Sequence, residues 1–266
     1  MIKPSYNPDW SDDVKSLYRH DMEEYWDKTL VPNKWNQYRN LLNTYLSMAS
    51  DTLTLDILDV GCAQGTLALL LAEQGHRVCA VDIRQESLDY ARSRYETGKI
   101  EFIRHNVLEI QLNKKFDIIY ANQLIEHLVY PKQMIEQLSS MLKSGGKLVI
   151  ATPNYFYALS RHPSFEQLGD PKKWEHMQFS ADGDGHFFAY KEQELTQIFE
   201  DCSLCQINAR VFETPFISGH LKARFLHRFV PYKVLKALDS MLLGIPILRN
   251  YVSHQLVVTG KIDHAT

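Results

Sequence analysis

The sequence predicts an α/β fold: a mostly parallel sheet of seven strands with helices on both faces and a helical cap ahead of the first strand. Three observations carry this. Residues 57–67, Ile57-Leu58-Asp59-Val60-Gly61-Cys62-Ala63-Gln64-Gly65-Thr66-Leu67, read as an apolar strand, a tight glycine turn and the first turn of a helix. A second apolar strand, Arg77–Asp82, ends in a carboxylate 17 positions after Gly65. Further apolar runs at 100–105, 116–121, 147–152, 205–212 and 254–261 are separated by helical patterns, most of them of crossover length.

Taken in order, residues 1–10 form a loose arm with Pro4 and Pro8. Ser11-Asp12-Asp13 is a helix start, and Leu17, Met22 and Trp26 continue its apolar stripe until Pro32 breaks it. A second helix is expected over 34–48, with Trp35, Tyr38, Leu41, Leu42, Tyr45 and Leu46 at helical spacing. Residues 1–50 make the cap and 51–266 the main domain. Helices follow over 66–73, 85–95, 131–142 and 192–200, with Pro131 at a first turn. Lys143-Ser144-Gly145-Gly146 turns the chain into the fifth strand. Two insertions interrupt the pattern. Residues 155–189 are rich in aromatics and histidines, a composition suited to walling a substrate pocket. Residues 214–252 carry Lys222, Arg224, Arg228, Lys233, Lys236 and Arg249 against Asp239, with Val234, Leu235, Leu238, Met241 and Leu242 at helical spacing. That segment suits a lid helix or a homodimer contact; a weak membrane-surface contact, or a grip on a lipid-linked acceptor, is the alternative.

The net charge of −3 gives no global basic field, so no nucleic-acid partner is expected. No apolar run reaches membrane-spanning length, and Met1–Tyr6 has no apolar signal region. The four cysteines, with Cys202 and Cys205 as a lone C-x-x-C, make no disulfide framework. A cytoplasmic, reducing setting is expected. Asp182-Gly183-Asp184-Gly185-His186 fails as a calcium loop because position 12 is Gln193, and no metal is expected.

The turn chemistry points to a nucleoside. Gly61 lets the backbone bend, and Gly65 allows a ligand or neighbouring backbone to approach. The free N–H groups of the next helix point back at the turn, and Asp82 is placed for a ribose diol. A dinucleotide fingerprint is missing, since Ala63 and Thr66 stand where glycines are needed. Asp59 would repel a pyrophosphate and attract a cation. A nicotinamide enzyme is therefore disfavoured; a glycine turn without ligand is the bland alternative.

Over residues 55–154 the chain resembles the class I S-adenosylmethionine-dependent methyltransferases. Asp59–Gly65 is similar to their first motif, with Ala63 or Gln64 where glycine is usual. Asn122-Gln123-Leu124-Ile125-Glu126-His127-Leu128 is similar to their fourth, in the Glu-His version of ubiquinone-type O-methyltransferases and many small-molecule relatives. Leu142-Lys143-Ser144-Gly145-Gly146 with a strand ending Thr152-Pro153-Asn154 matches again. The resemblance implies a Rossmann-like sheet whose seventh strand is antiparallel at the sheet's end. It implies S-adenosylmethionine as cofactor, held by Arg39, Asp59, Gly61, Cys62, Ala63, Gly65, Asp82, Ile83, Asn106, Val107 and Asn122. Arg39 would meet the cofactor carboxylate, unless it is only a solvated helix charge. Asn106-Val107 would meet adenine, and Asn122 would offer backbone. His186, in a Gly-His pair before an aromatic and a helix, is the first candidate for a general base, and His127 the second, unless His127 only braces its loop through Glu126. A loop-bonding histidine is the alternative for His186. The implied activity is methyl transfer to a small-molecule acceptor, with oxygen ahead of nitrogen. A lipid- or carrier-linked glycan acceptor, and a non-catalytic binding protein, are the remaining alternatives.

Overall fold

A computed structural model describes residues 1–49, 52–178 and 188–263. The chain divides into two compact units, residues 1–106 with 213–242 and residues 107–212 with 243–266.

The first unit opens with α1 (Asp12–Asp21), capped by the Ser11 hydroxyl. The helix continues as one π-turn over Met22–Trp26, which Asp27 closes by donating its N–H to the Met22 carbonyl. Helix α2 (Pro32–Leu46) starts at Pro32. The break expected at Pro32 lies between the two helices, and at the first helical position the missing N–H of proline costs nothing, so α2 begins two residues ahead of the expected Lys34. Strands β1 (Asp56–Val60), β2 (Arg77–Asp82) and β3 (Lys99–Arg104) lie in the order β3-β2-β1, all parallel. Residues 57–60 of β1 are buried, as a strand covered on both faces requires. Helix α3 (Thr66–Glu73) buries Leu67, Ala68, Leu69, Leu71 and Ala72, so it is apolar nearly all round. Gly75, in the left-handed region at φ 94°, ends it. Helix α4 (Gln85–Ser93) follows β2.

The second unit holds β4 (Phe116–Asn122), α5 (Pro131–Ser140), β5 (Leu142–Pro153), α6 (Glu192–Asp201), β6 (Leu204–Phe212) and β7 (Gln255–Ile262). Strand order is β4-β5-β7-β6, with β4 and β5 parallel and β7 antiparallel to both neighbours. The last strand is antiparallel as expected, but it is not at the sheet's end. It inserts between β5 and β6 and leaves β6 at the edge. Burial explains this: residues 255–258 and 260 of β7 are buried, whereas β6 alternates exposed and half-buried positions through its middle. The glycine turn at 143–146 is absorbed into β5 as an irregularity between the Phe116 and Ile118 pairings.

The insertion after β5 forms short 3₁₀ turns at Glu166–Leu168, Pro171–Lys173 and Glu175–Met177. Phe165 stacks on Tyr190 at 5.4 Å. All four cysteines are free thiols. Among the described residues no helix is long and apolar enough to cross a membrane, and no cluster of side chains could hold a metal.

Candidate functional site

The site is built on the turn between β1 and α3. Gly61 adopts φ 71°, and the N–H groups of Gly61 and Cys62 both donate to the Val81 carbonyl. This pins the turn to the end of β2. There the Asp82 carboxylate accepts the Ala63 N–H at 3.0 Å and the Arg84 N–H at 2.9 Å. Each oxygen keeps lone-pair capacity for a further donor. Ile83, next in the chain, exposes its apolar side chain, and its carbonyl accepts from Arg104. Ala63 holds φ 45°, a strained conformation for a residue with a Cβ. Gly65 is needed for packing: a Cβ there would sit 2.7 Å from the Ala91 Cβ on α4. Its close approach is to this neighbouring helix.

Asp59 is buried, and it accepts the Ala68 N–H in the first turn of α3. Burial, then the charge of Asp82, push its carboxyl up to about 7. Burial and the same two acids push the Cys62 thiol up, so it is no nucleophile.

Of the cap groups that approach the turn, Glu24, Asp21 and the Arg94 beneath them carry no signal in the sequence. Gln64 donates to the Glu24 carboxylate at 3.3 Å and to the Tyr38 hydroxyl at 3.4 Å. Glu24 sits in the π-turn, and desolvation pushes its carboxyl up to about 7, with Asp21 and Glu23 adding to the rise and Lys34 opposing it. Beneath them Arg94, fully buried, pairs with Asp21 at 2.8 Å and donates to the Gln64 carbonyl and the Thr66 hydroxyl. Burial outweighs that pairing and leaves the Asp21 carboxyl above its ordinary range. Asp21 also accepts from Trp26 and Tyr90. Nothing in the local pattern marks these groups, because the partners that join them to the turn lie tens of residues away. Arg39 does not join the cluster. It is exposed, with its guanidinium 4.8 Å from the Tyr232 ring centroid.

Asn106 follows β3 in the first unit, and its carbonyl contacts the His105 ring at 3.0 Å. In the second unit Val107 is buried. Asn122 ends β4, and Gln123 beyond it takes φ 50° and donates its side-chain amide to Gln255. Ile125–His127 is a 3₁₀ turn. Glu126 is fully buried, accepts the Thr152 hydroxyl at 3.1 Å, and is pushed up to about 8 by burial. His127 beside it is half-buried. His186 and the Asp182–Gly185 stretch lie outside the described residues.

A family profile described as "Methyltransferase domain" matches residues 18–204, well over half of the chain. The chain belongs to the methyltransferase-domain family. Among curated proteins this methyltransferase domain is similar to a malonyl-[acyl-carrier protein] O-methyltransferase of Acetivibrio thermocellus. They are 32% identical over 132 residues, which is 48% of this chain and 47% of that protein. It is also similar to a ubiquinone biosynthesis O-methyltransferase of Rickettsia conorii, at 35% identity over 109 residues, 40% of this chain and 38% of that protein. The chain thus spans less than half the length of these two relatives. Among solved structures, the N-methyltransferase NodS of Bradyrhizobium japonicum, in complex with S-adenosyl-L-homocysteine, superposes with a TM-score of 0.56. The identity is 14%, over 95% of this chain and 99% of that one. At that identity the likeness establishes the fold.

Proposed function

We propose that the chain is an S-adenosylmethionine-dependent methyltransferase acting on a small-molecule acceptor through oxygen. The observation that carries the reading is Asp82. Its carboxylate accepts one backbone N–H from the glycine turn, that of Ala63, and one from Arg84 just beyond β2, with acceptor capacity left over and an exposed apolar residue beside it. Such a carboxylate suits a ribose diol, and Ile83 suits the face of a purine.

The donor set fits the cofactor's charge. Asp59, Asp82 and Glu24 are acids in one unit with Gly61–Gly65, and two of them are pushed up to about 7. A cationic ligand favours the ionised forms of these desolvated carboxyls, whereas a pyrophosphate would disfavour them. In this reading Asp82 holds the ribose. Gln64 and Glu24 receive the ammonium, and Arg39 turns from Tyr232 to the carboxylate. Asn106, Val107 and Asn122 complete the set on the strength of the motif resemblance. Bound S-adenosylmethionine supplies a methyl group already activated on sulfur. The chain's own residues then align acceptor and donor, a contribution of about 7–11 kcal/mol, and remove the acceptor's proton. His127 and His186 remain the candidate bases, because an imidazole titrates in the neutral range. Oxygen is preferred because the two curated relatives are named O-methyltransferases; NodS keeps an amine acceptor as the alternative.

Calorimetry with S-adenosylmethionine tests the reading. The wild type should bind in the micromolar range. Asp82→Ala should lose about 1.5–3 kcal/mol for each charge-assisted bond removed, or more than tenfold in affinity. Equal binding by the variant removes the cofactor from this site. A turnover assay following S-adenosylhomocysteine separates an enzyme from a binding protein.

A further inference from the structure

The basic segment after Glu213 packs against α2, where Asn36 bonds to His227, but leaves a row of large apolar side chains exposed. Helix α7 (Tyr232–Leu243) turns Leu235 and Asp239 inward, and the Asp239 carboxylate accepts the Thr214 N–H and pairs with Lys236 at 2.9 Å. The opposite side carries Val234, 48% exposed, and Met241, 67% exposed, with Lys233 also exposed. Upstream, Leu221, Phe225 and Phe229 are 55%, 62% and 80% exposed, interleaved with exposed Lys222, Arg224 and Arg228. The same pattern recurs in the other unit, where Ile247 is 80% and Tyr251 55% exposed around Arg249. An exposed phenylalanine is ordinary singly; a run of large apolar side chains interleaved with cations marks a surface with a partner.

Charge decides which partner. Residues 221–251 hold six Lys and Arg and a single acid, Asp239, which is buried and paired. A second copy presenting this segment would set like charges together. Nucleic acid would match the cations and leave Phe225, Phe229 and Met241 without a role. An anionic bilayer surface satisfies both halves: phosphate headgroups meet Lys and Arg, and the acyl boundary takes the aromatic and aliphatic side chains. We propose that residues 221–241 seat the protein on an anionic membrane surface. The placement suits an acceptor that is itself amphipathic.

The experiment is co-sedimentation of the full chain with phosphatidylcholine vesicles, with and without phosphatidylglycerol, at low and high salt. The wild type should pellet with the anionic vesicles and be released by salt. Two sets of substitutions at exposed positions are compared with it: Phe225→Ser with Phe229→Ser, and Lys222→Glu, Arg224→Glu and Arg228→Glu together. Circular dichroism and cofactor affinity should match the wild type in both. Each basic residue near an anionic surface is worth about a fivefold change in partition, so the triple substitution should lower binding by about a hundredfold or more. The double substitution should lower it independently of salt. The proposal is overturned by a wild type that stays in the supernatant, or by binding that ignores phosphatidylglycerol and both sets of substitutions. It is equally overturned if short duplex DNA or RNA strips the protein from vesicles. A lipid-free dimer that the Phe225→Ser, Phe229→Ser double substitution converts to monomer assigns the segment to self-association and overturns it as well.

Discussion

Replacing Glu24 by Gln tests the cap's part in the site most directly. The carboxylate accepts from Gln64 at the glycine turn, and in the proposed reading it also accepts from the cofactor's ammonium. A hydrogen bond between charged groups contributes about 1.5–3 kcal/mol. Because the free carboxyl sits at about 7, roughly half of it is protonated at neutral pH, which takes back about 0.4 kcal/mol. The net loss on Glu24→Gln is then about 1–2.5 kcal/mol, or roughly 5- to 70-fold weaker binding. The assay is titration calorimetry with S-adenosylhomocysteine and, in parallel, with 5′-methylthioadenosine, which lacks the amino-acid end. The first ligand should weaken and the second should not. The pH profile adds an independent check. Burial raises the Glu24 carboxyl, Asp21 and Glu23 add to the rise and Lys34 opposes it. Wild-type affinity should therefore rise from pH 6 to about 8, with that rise missing in the variant. Equal loss for both ligands, or a variant within twofold of the wild type, refutes the assignment.

Three further outcomes follow from the same geometry. Ala63→Gly removes a Cβ at φ 45° and should raise stability by about 1 kcal/mol, read as a higher Tm. Gly65→Ala should destabilise by about 2 kcal/mol or more, since the new Cβ meets Ala91 at 2.7 Å and φ is 73°. Adding Ala91→Gly should recover the steric part and leave the backbone part, a split that denaturant melts of the two variants resolve. Glu126 sits at about 8 when folded, against 4.5 for the ordinary carboxyl. Its raised folded value makes its contribution fully present below pH 4.5 and lost as pH rises through 8, so the wild type should melt progressively lower between pH 5 and 8.5. Glu126→Gln should flatten that slope and be the more stable protein at pH 8.5, by on the order of a few kcal/mol at most.

Some of this was legible from the chain alone because its causes are local. The ranges of α3 and β2 match their expected bounds, Thr66–Glu73 and Arg77–Asp82. A glycine at φ 71°, an apolar helix and an apolar strand ending in an acid are each set by neighbours within a few residues. The pairing of Asp82 with the turn follows from that unit. What the chain could not announce are the contacts that join distant residues. Arg94 with Asp21, and Glu24 with Gln64, are unremarkable charges and amides in one dimension. They become a buried brace and a desolvated carboxylate only once α1, the π-turn and α4 are folded against α3. The place of β7 inside the sheet was likewise a matter of which strand buries more apolar surface, which no motif encodes. The sequence therefore determined the scaffold and the glycine turn through short-range periodicity and turn chemistry. The tertiary structure alone decided which charges are taken out of water and which aromatic side chains are left in it, because burial is a property of the assembled chain.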